Sequence, residues 1–240
     1  MSTAEVISSP STDPASARSE GDPARPGAGS LAPGSARAVT ATKRALDVVV
    51  ASVLLVATAP VVLVLFILVR LDGGPAFFKQ RRVGQGGRVI EISKFRSMAV
   101  DAETRLHADP ELYAKYLVNG FKLPADEDPR LSQWGRFLRS SSLDELPQLI
   151  SVLKGDMSMV GPRPIVEAEL VEYASRQAQE AYLSARPGLT GLWQVSGRSS
   201  LNYQQRVELD LAYLARPSVG ADLWILVKTA LVVLRRVGAH

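Results

Sequence analysis

The chain of 240 residues carries 28 Lys and Arg against 24 Asp and Glu, a formal net charge of +4 with a pI near 9.5. It has no cysteine and two histidines, His107 in a polar stretch and His240 at the last position. These counts exclude a disulfide framework and any thiolate site, and they leave a serine-histidine triad or a histidine metal cluster almost nothing to draw on. An enzyme built from this composition would use a carboxylate or hydroxyl nucleophile. The basic excess admits nucleic acid, a membrane surface or an anionic substrate as partner and does not choose among them.

Residues 1–40 are rich in Ala, Pro, Ser and Gly without apolar periodicity, a composition that buries too little surface to offset chain entropy. They are read as a disordered tail, and they lack the apolar run of a secretory signal. Val48 to Val69 then gives 22 uncharged residues between Lys43, Arg44 and Asp47 on one side and Arg70 and Asp72 on the other. At about 1.5 Å per residue this run is long enough for a hydrocarbon core of about 30 Å. Two features argue against a simple span. Pro60 has no N–H for the carbonyl of Val56 and predicts a break. Basic residues also flank both ends, with Lys43 and Arg44 before and Arg70, Lys79, Arg81 and Arg82 after, which places both ends in the cytoplasm. On the residues alone, a helix that enters one leaflet, breaks at Pro60 and returns stands level with a span; Thr58 is available to pair a freed carbonyl.

Ala76 to Lys79 and Val89 to Ser97 predict two short strands joined through Val83-Gly84-Gln85-Gly86-Gly87, whose glycines suit positive φ. Lys94 and Arg96 share parity, and so one face of a strand, either as a solvated edge or as a phosphate contact. Asp101 to Gly120 predicts one surface helix. Pro124 to Pro129 reads as a solvated linker whose acidic triplet fits no EF-hand spacing. Trp134 to Arg139 predicts a helix with Arg136 and Arg139 on one face.

The densest stretch is Ser140 to Pro164, SSSLDELPQLISVLKGDMSMVGPRP. Pro147 predicts a helix start near Leu143 to Glu145, and Lys154-Gly155 its end. Asp144 and Glu145 are thereby expected at the positive end of a helix, which favours ionised carboxylates and welcomes phosphate. They are read either as a nucleophilic site or as part of a capping box, Ser142-x-x-Glu145. Arg163 closes the stretch between two prolines. Further helices are expected over Ile165 to Leu183, Tyr203 to Leu214 and Ala221 to Arg236. The last is either interfacial, with Trp224 at headgroup depth, or buried. Glycines 188, 191 and 197 beside Arg186 and Arg198 would let backbone N–H groups and guanidinium forks approach an anion. A membrane-seated chain with a carboxylate pair and several arginines points to a phosphorylated substrate with a lipidic partner. Arginines and a divalent cation, Mg²⁺ by preference, would neutralise a diphosphate before a carboxylate attacked it.

Several motifs stand in one order: Lys43-Arg44-x-x-Asp47, the apolar run with Pro60, Lys94-Phe-Arg-Ser-Met98, Ser142-Leu-Asp-Glu-Leu-Pro-Gln148, Leu153-Lys-Gly-Asp-Met-Ser158, Gly161-Pro-Arg-Pro164, Arg186-Pro-Gly-Leu-Thr-Gly191 and Gln194-Val-Ser-Gly-Arg198. Over about residues 43–238 this order resembles the bacterial sugar transferases, the monotopic phosphoglycosyl transferases, and among them the compact exopolysaccharide-initiating type. The resemblance implies an α+β, mostly helical fold. Its parts would be a re-entrant membrane helix broken at Pro60 (residues 41–72), a short β-hairpin, and a compact catalytic domain (residues 73–240) with amphipathic interfacial helices at the cytoplasmic face of the bacterial inner membrane. The family commonly has serine before that proline, where this chain has Ala59 preceded by Thr58.

The resemblance also implies a reaction, the transfer of galactose or glucose 1-phosphate from a UDP-sugar to undecaprenyl phosphate with release of UMP. Asp144 would be the nucleophile and a ligand of Mg²⁺, and Glu145 a base or a positioning group for acceptor and metal. Lys94, Arg139, Arg163, Arg186 and Arg198 would bind substrate. Membrane lipid is a further expected partner, a homodimer is left open, and nucleic acid is not expected, because the basic residues show no aromatic-basic platform. The competing expectation is a non-catalytic membrane-bound scaffold.

Overall fold

The computed structural model describes residues 33–118, 123–124, 127–197 and 200–234. Helix α1 covers Pro33–Leu71, 39 residues, and runs through Pro60 without interruption. The expected break is therefore not an interruption of helical structure. Proline removes one bond of the ladder, and the apolar turns on either side carry the helix past it. The hydroxyl of Thr58 donates to the carbonyl of Leu54 at 2.7 Å, one turn back, and not to that of Val56. The helix also begins inside the segment read as tail, since residues 33–40 are helical; residues 1–32 lie outside the described residues.

Only 11% of the apolar window of α1 is buried, which rules out the core helix of a soluble domain. Val53, Val56 and Leu63 are 62%, 76% and 60% exposed. The inward stripe is Ala51, Leu55, Val62, Leu65 and Val69, at helical spacing. Its first two residues join a core cluster with Ile92, Leu149 and Met159, and its last three join a second with Phe95 and Leu138. Both ends of the apolar helix thus rest on the same body.

Charged side chains fix those ends. Lys43 donates to the Val160 carbonyl at 2.9 Å and to Asp222 at 2.8 Å, whose other oxygen accepts the Tyr213 hydroxyl at 2.6 Å. Arg44 takes the orphan carbonyls of Val152 and Leu153 at the end of α5 (Gln148–Lys154), at 2.7 and 2.8 Å. Asp47 accepts from Ser158 Oγ and Met159 N, both at 2.9 Å, at β3 (Ser158–Val160). At the far end Arg96, 6% exposed, donates to the carbonyls of Val69, Gly73, Pro75 and Met98. It caps α1 and makes no phosphate contact.

β1 (Phe77–Val83) and β2 (Val89–Phe95) form the expected hairpin, antiparallel from Phe77↔Phe95 to Val83↔Val89, and the turn uses positive φ at Gly86 and Gly87. β1 is longer than its apolar residues predict. The single surface helix expected over residues 101–120 is two, α2 (Ala102–His107) and α3 (Pro110–Val118), because Asp109 caps the N–H groups of Glu111 and Leu112 just before Pro110. Asp128 in the presumed solvated linker is 5% exposed and grips Arg130 through two bonds of 2.8 and 2.9 Å.

α4 (Gly135–Ser141) leads into a 3-10 turn, Leu143–Glu145, and then α5. The helix expected over residues 165–183 is a 3-10 segment, Glu167–Glu172, and α6 (Arg176–Ser184), restarted by the Ser175 cap. β4 (Gly188–Thr190) pairs in parallel with β3, a pairing the sequence did not announce. Gly161 and Gly188 lie backbone against backbone there, so that a Cβ on either would collide. These glycines serve packing, and Gly188 also lines the cavity described below. α7 (Leu192–Val195), α8 (Tyr203–Ala215) and α9 (Val219–Leu234) complete the chain. α9 combines both expectations for it, with Asp222 and Ile225 buried and Leu223, Trp224, Val227 and Leu231 exposed.

Asp222→Ala should strand the Lys43 ammonium, itself only about a quarter exposed. The expected loss is about 2–3 kcal/mol, a fall in Tm of roughly 5–10 °C in thermal unfolding of the detergent-solubilised chain. Thr58→Val, which removes only a bond inside α1, should cost less than about 1 kcal/mol.

Candidate active site

A cavity of about 300 Å³ opens where four elements meet. One wall is the hairpin. Cross-strand partners share a face, and the pairs Phe78↔Lys94, Gln80↔Ile92 and Arg82↔Ile90 bring Gln80, Arg82, Ile92 and Lys94 to the cavity. A second wall runs from the end of α4 to the start of α5 with Arg139, Ser142, Asp144, Glu145 and Gln148. The Gly-Pro-Arg-Pro loop adds Arg163, and α7 and α8 add Trp193, Gln194 and Arg206.

The second wall depends on a backbone reversal. Ser142 ends α4 at φ 57°, and among the described residues it is the one non-glycine with positive φ. A left-handed L-residue costs about 1–2 kcal/mol, and here it turns the chain so that Asp144 and Glu145 face the cavity. Ser142 makes no side-chain cap, and Glu145 gives its carboxylate to Lys94 at 2.6 Å. The capping-box reading is therefore wrong. The carboxylates occupy the turn before α5 and not its first turn, because Pro147 serves as the N-cap.

Burial pushes the Asp144 carboxyl up to about 6; the Glu145 charge adds to the rise, and Lys94 and Arg139 oppose it. Burial also lowers the Arg139 guanidinium, which donates from Nε to Ser97 Oγ at 3.1 Å. The cavity thus holds five cationic side chains, Arg82, Lys94, Arg139, Arg163 and Arg206, against two carboxylates. Such a site attracts a polyanion and offers it a partly desolvated carboxylate, the combination needed for nucleophilic attack at phosphorus.

Asp144, Glu145, Lys94, Arg139 and Arg163 are brought together as the sequence predicts. Arg186 is not. It does not line the cavity, its carbonyl abuts Gly161, and its Nε is buried with no hydrogen-bond partner among the described residues. Arg198 lies outside the described residues, and Pro60 sits in α1. Sequence reasoning missed Gln80, Arg82, Gln148, Trp193, Gln194 and Arg206. The parity of Lys94 carried across the hairpin would have found the first two. As for a metal, no group of three or more acidic or histidine side chains is gathered among the described residues. Asp144 and Glu145 fit a cation that takes its remaining ligands from substrate phosphates and water, as Mg²⁺ commonly does.

The sequence model of the bacterial sugar transferases matches residues 38–236, most of the chain. The chain belongs to the bacterial sugar transferase family. Among its relatives, the undecaprenyl-phosphate galactose phosphotransferase of Salmonella typhimurium is 46% identical over 202 residues, which are 82% of this chain and 41% of that protein. The exopolysaccharide production protein ExoY of Sinorhizobium fredii is 44% identical over 193 residues, 78% of this chain and 83% of its own length. The UDP-glucose:undecaprenyl-phosphate glucose-1-phosphate transferase of Escherichia coli is 38% identical over 196 residues, 78% of this chain and 39% of that protein. This sugar transferase thus spans about two fifths of several curated relatives and most of ExoY. With its long unburied apolar helix, it is a membrane-associated member of the family.

A carboxyl pushed up to about 6 binds a proton in the folded state more readily than in the unfolded state. Its contribution to stability is therefore fully present below the unfolded value near 3.8, and it is lost as pH rises toward 6. Asp144→Asn should accordingly stabilise the transferase at pH 8 by about 1–3 kcal/mol, read as a rise in Tm, with the gain shrinking as pH falls toward 4.

Proposed function

We propose that this sugar transferase moves a sugar 1-phosphate from a UDP-sugar to undecaprenyl phosphate, releasing UMP, through a covalent intermediate on Asp144. One observation carries the proposal. A half-buried aspartate, its neighbour engaged by Lys94, lines a cavity of arginines beneath a helix of membrane length. The family and the activities named for the relatives from Salmonella and Escherichia support the same reaction.

The Asp144 oxygen attacks the β-phosphorus, and the bond from that phosphorus to the bridging oxygen breaks, with the electron pair leaving on UMP. Lys94 and Arg139 beside Asp144 draw the sugar-bearing phosphate within reach and offset the growing negative charge. Glu145 positions Lys94. Mg²⁺, held through Asp144 or Glu145 and the diphosphate, would supply further charge neutralisation. In the second half the lipid phosphate attacks the same phosphorus and restores the carboxylate.

The acceptor's chemistry also bears on topology. We take both ends of α1 to lie at the cytoplasmic face of the inner membrane, since they pack on one body and both carry cations. Galactose and glucose are the sugars in the names of the relatives, and galactose or glucose 1-phosphate is the proposed cargo.

With radiolabelled UDP-sugar and membranes, Asp144→Asn should cut transfer to lipid by at least about a thousandfold. Undiminished transfer would mean that the covalent mechanism on Asp144 is wrong. Since the reactive anion exists above about pH 6, wild-type transfer should hold level above that value and fall as pH drops below it. For topology, cysteines replacing Ala41 and Phe78 in this cysteine-free chain should both label from the cytoplasmic side; labelling from opposite sides would mean a simple span.

A further inference from the structure

At one end of the cavity stand three guanidiniums, of Arg82 on β1, Arg163 in the Gly-Pro-Arg-Pro loop and Arg206 on α8. Among the described residues none of them has a carboxylate partner within ion-pair distance. Arg163 and Arg206 lie 5.5 and 5.1 Å from the centre of the Trp193 ring. Among the described residues, the Nε of both and the indole Nε1 of Trp193 are buried with no hydrogen-bond acceptor. Arg82 donates to Gln80 Oε1 at 3.0 Å and to the Arg81 carbonyl at 3.4 Å, and Glu169 is an anion that acts on it from further away.

Three like charges gathered at one end of the cavity repel one another, a cost that a bound anion would relieve. Burial and the charge of Arg163 both lower Arg206. The backbone holds this arrangement in place. Asp210, 2% exposed, accepts the Arg163 N–H at 3.1 Å and the Tyr173 hydroxyl at 3.2 Å, while the Tyr182 hydroxyl donates to the Arg163 carbonyl at 2.9 Å. Arg206 stands one helical turn from Asp210 on the same helix. A ligand suited to these guanidiniums has several acceptor oxygens, no donors and more than one negative charge, which describes a phosphate monoester dianion.

Chemistry then narrows its identity, on the reaction proposed above. In the first half the Asp144 oxygen bonds to the β-phosphorus, the bond to the bridging oxygen breaks, and UMP leaves as a phosphate monoester. In the second half an oxygen of a lipid phosphate monoester bonds to that phosphorus, the bond to Asp144 breaks, and the electron pair returns to the carboxylate. Charge balances in both halves without a proton or a co-reactant. In-line displacement puts leaving group and attacker on the same side of the phosphorus, opposite Asp144.

We propose that Arg82, Arg163, Arg206 and Trp193 form one phosphate-monoester seat, used first by the departing nucleotide and then by the lipid phosphate. Lys94 and Arg139 serve the phosphate being transferred. The assignment makes Arg82, Arg206 and Trp193 substrate-binding residues and gives Asp210 a positioning role through Arg163.

The test uses the full chain carrying Asp144→Asn, which cannot turn over, with UMP, uridine and farnesyl phosphate as probes. UMP and farnesyl phosphate should displace each other competitively, and uridine should bind at least about tenfold more weakly than UMP. Adding Arg206→Gln should weaken UMP and farnesyl phosphate in parallel, each by about tenfold or more, with Arg206→Lys intermediate and the Tm unchanged. Should Arg206→Gln lower the Tm, Arg82→Gln on the hairpin gives the same reading. Simultaneous binding of both phosphates, or a loss confined to one of them, overturns the single seat. Binding to Asp144→Asn needs no chemistry. A wild type that fails to transfer label while competition persists would overturn the reaction and spare the seat.

Discussion

Three charged residues at the start of the apolar helix hold the molecule together. Lys43, Arg44 and Asp47 reach three different elements within about one helical turn, and each completes something otherwise unsatisfied. Arg44 fills carbonyls that every helix end leaves open, Asp47 binds the hydroxyl and N–H of β3, and Lys43 neutralises a carboxylate buried at the base of α9. An apolar helix that is mostly unburied has little else to fix it to a polar body. Arg96 performs the complementary task at the other end, where its guanidinium is neutralised by carbonyl dipoles rather than by a counter-ion.

The site is stable in parts and strained where it acts. Ser142 sits in a backbone region that L-residues avoid, Asp144 is held partly out of water beside another carboxylate, and among the described residues the Nε atoms of Arg163 and Arg206 have no acceptor. The crowded guanidiniums favour a bound anion, and the other two features are costs that the fold bears with or without one. Compensation comes from satisfied neighbours such as the Asp128-Arg130 pair, the Tyr173-Asp210 bond and the apolar cluster around Leu149 and Met159.

What the sequence made legible follows from what each signal measures. The apolar run, the hairpin glycines and the Pro147 start are local, so the anchor, the hairpin and α5 came out near their places. The carboxylate pair and three of its cations were legible because short motifs carry them. Arg82 and Arg206 were not, since each lies in an ordinary strand or helix pattern and gains meaning only from cross-strand register or helix packing. The parallel pairing of β3 with β4 joins segments thirty residues apart, and nothing local marks it. Glycines 188 and 191 resemble anion-binding glycines in sequence, yet their absent side chains make room for the backbone of Gly161. Arg96 misled for a related reason. Parity assigns a strand face, but the strand ends one residue before it.

The seven residues of α5 have a further consequence. Their last carbonyls are held by Arg44 on the anchor, and their first residue follows directly on the turn that bears Asp144. At about 1.5 Å per residue this rod is roughly 10 Å long, too short and too well bonded to flex. On the reaction proposed above, Asp144 would stand at a height set by the bilayer's hold on the anchor, and headgroups would have to rise to it, farther or less far as the leaflet thins or thickens.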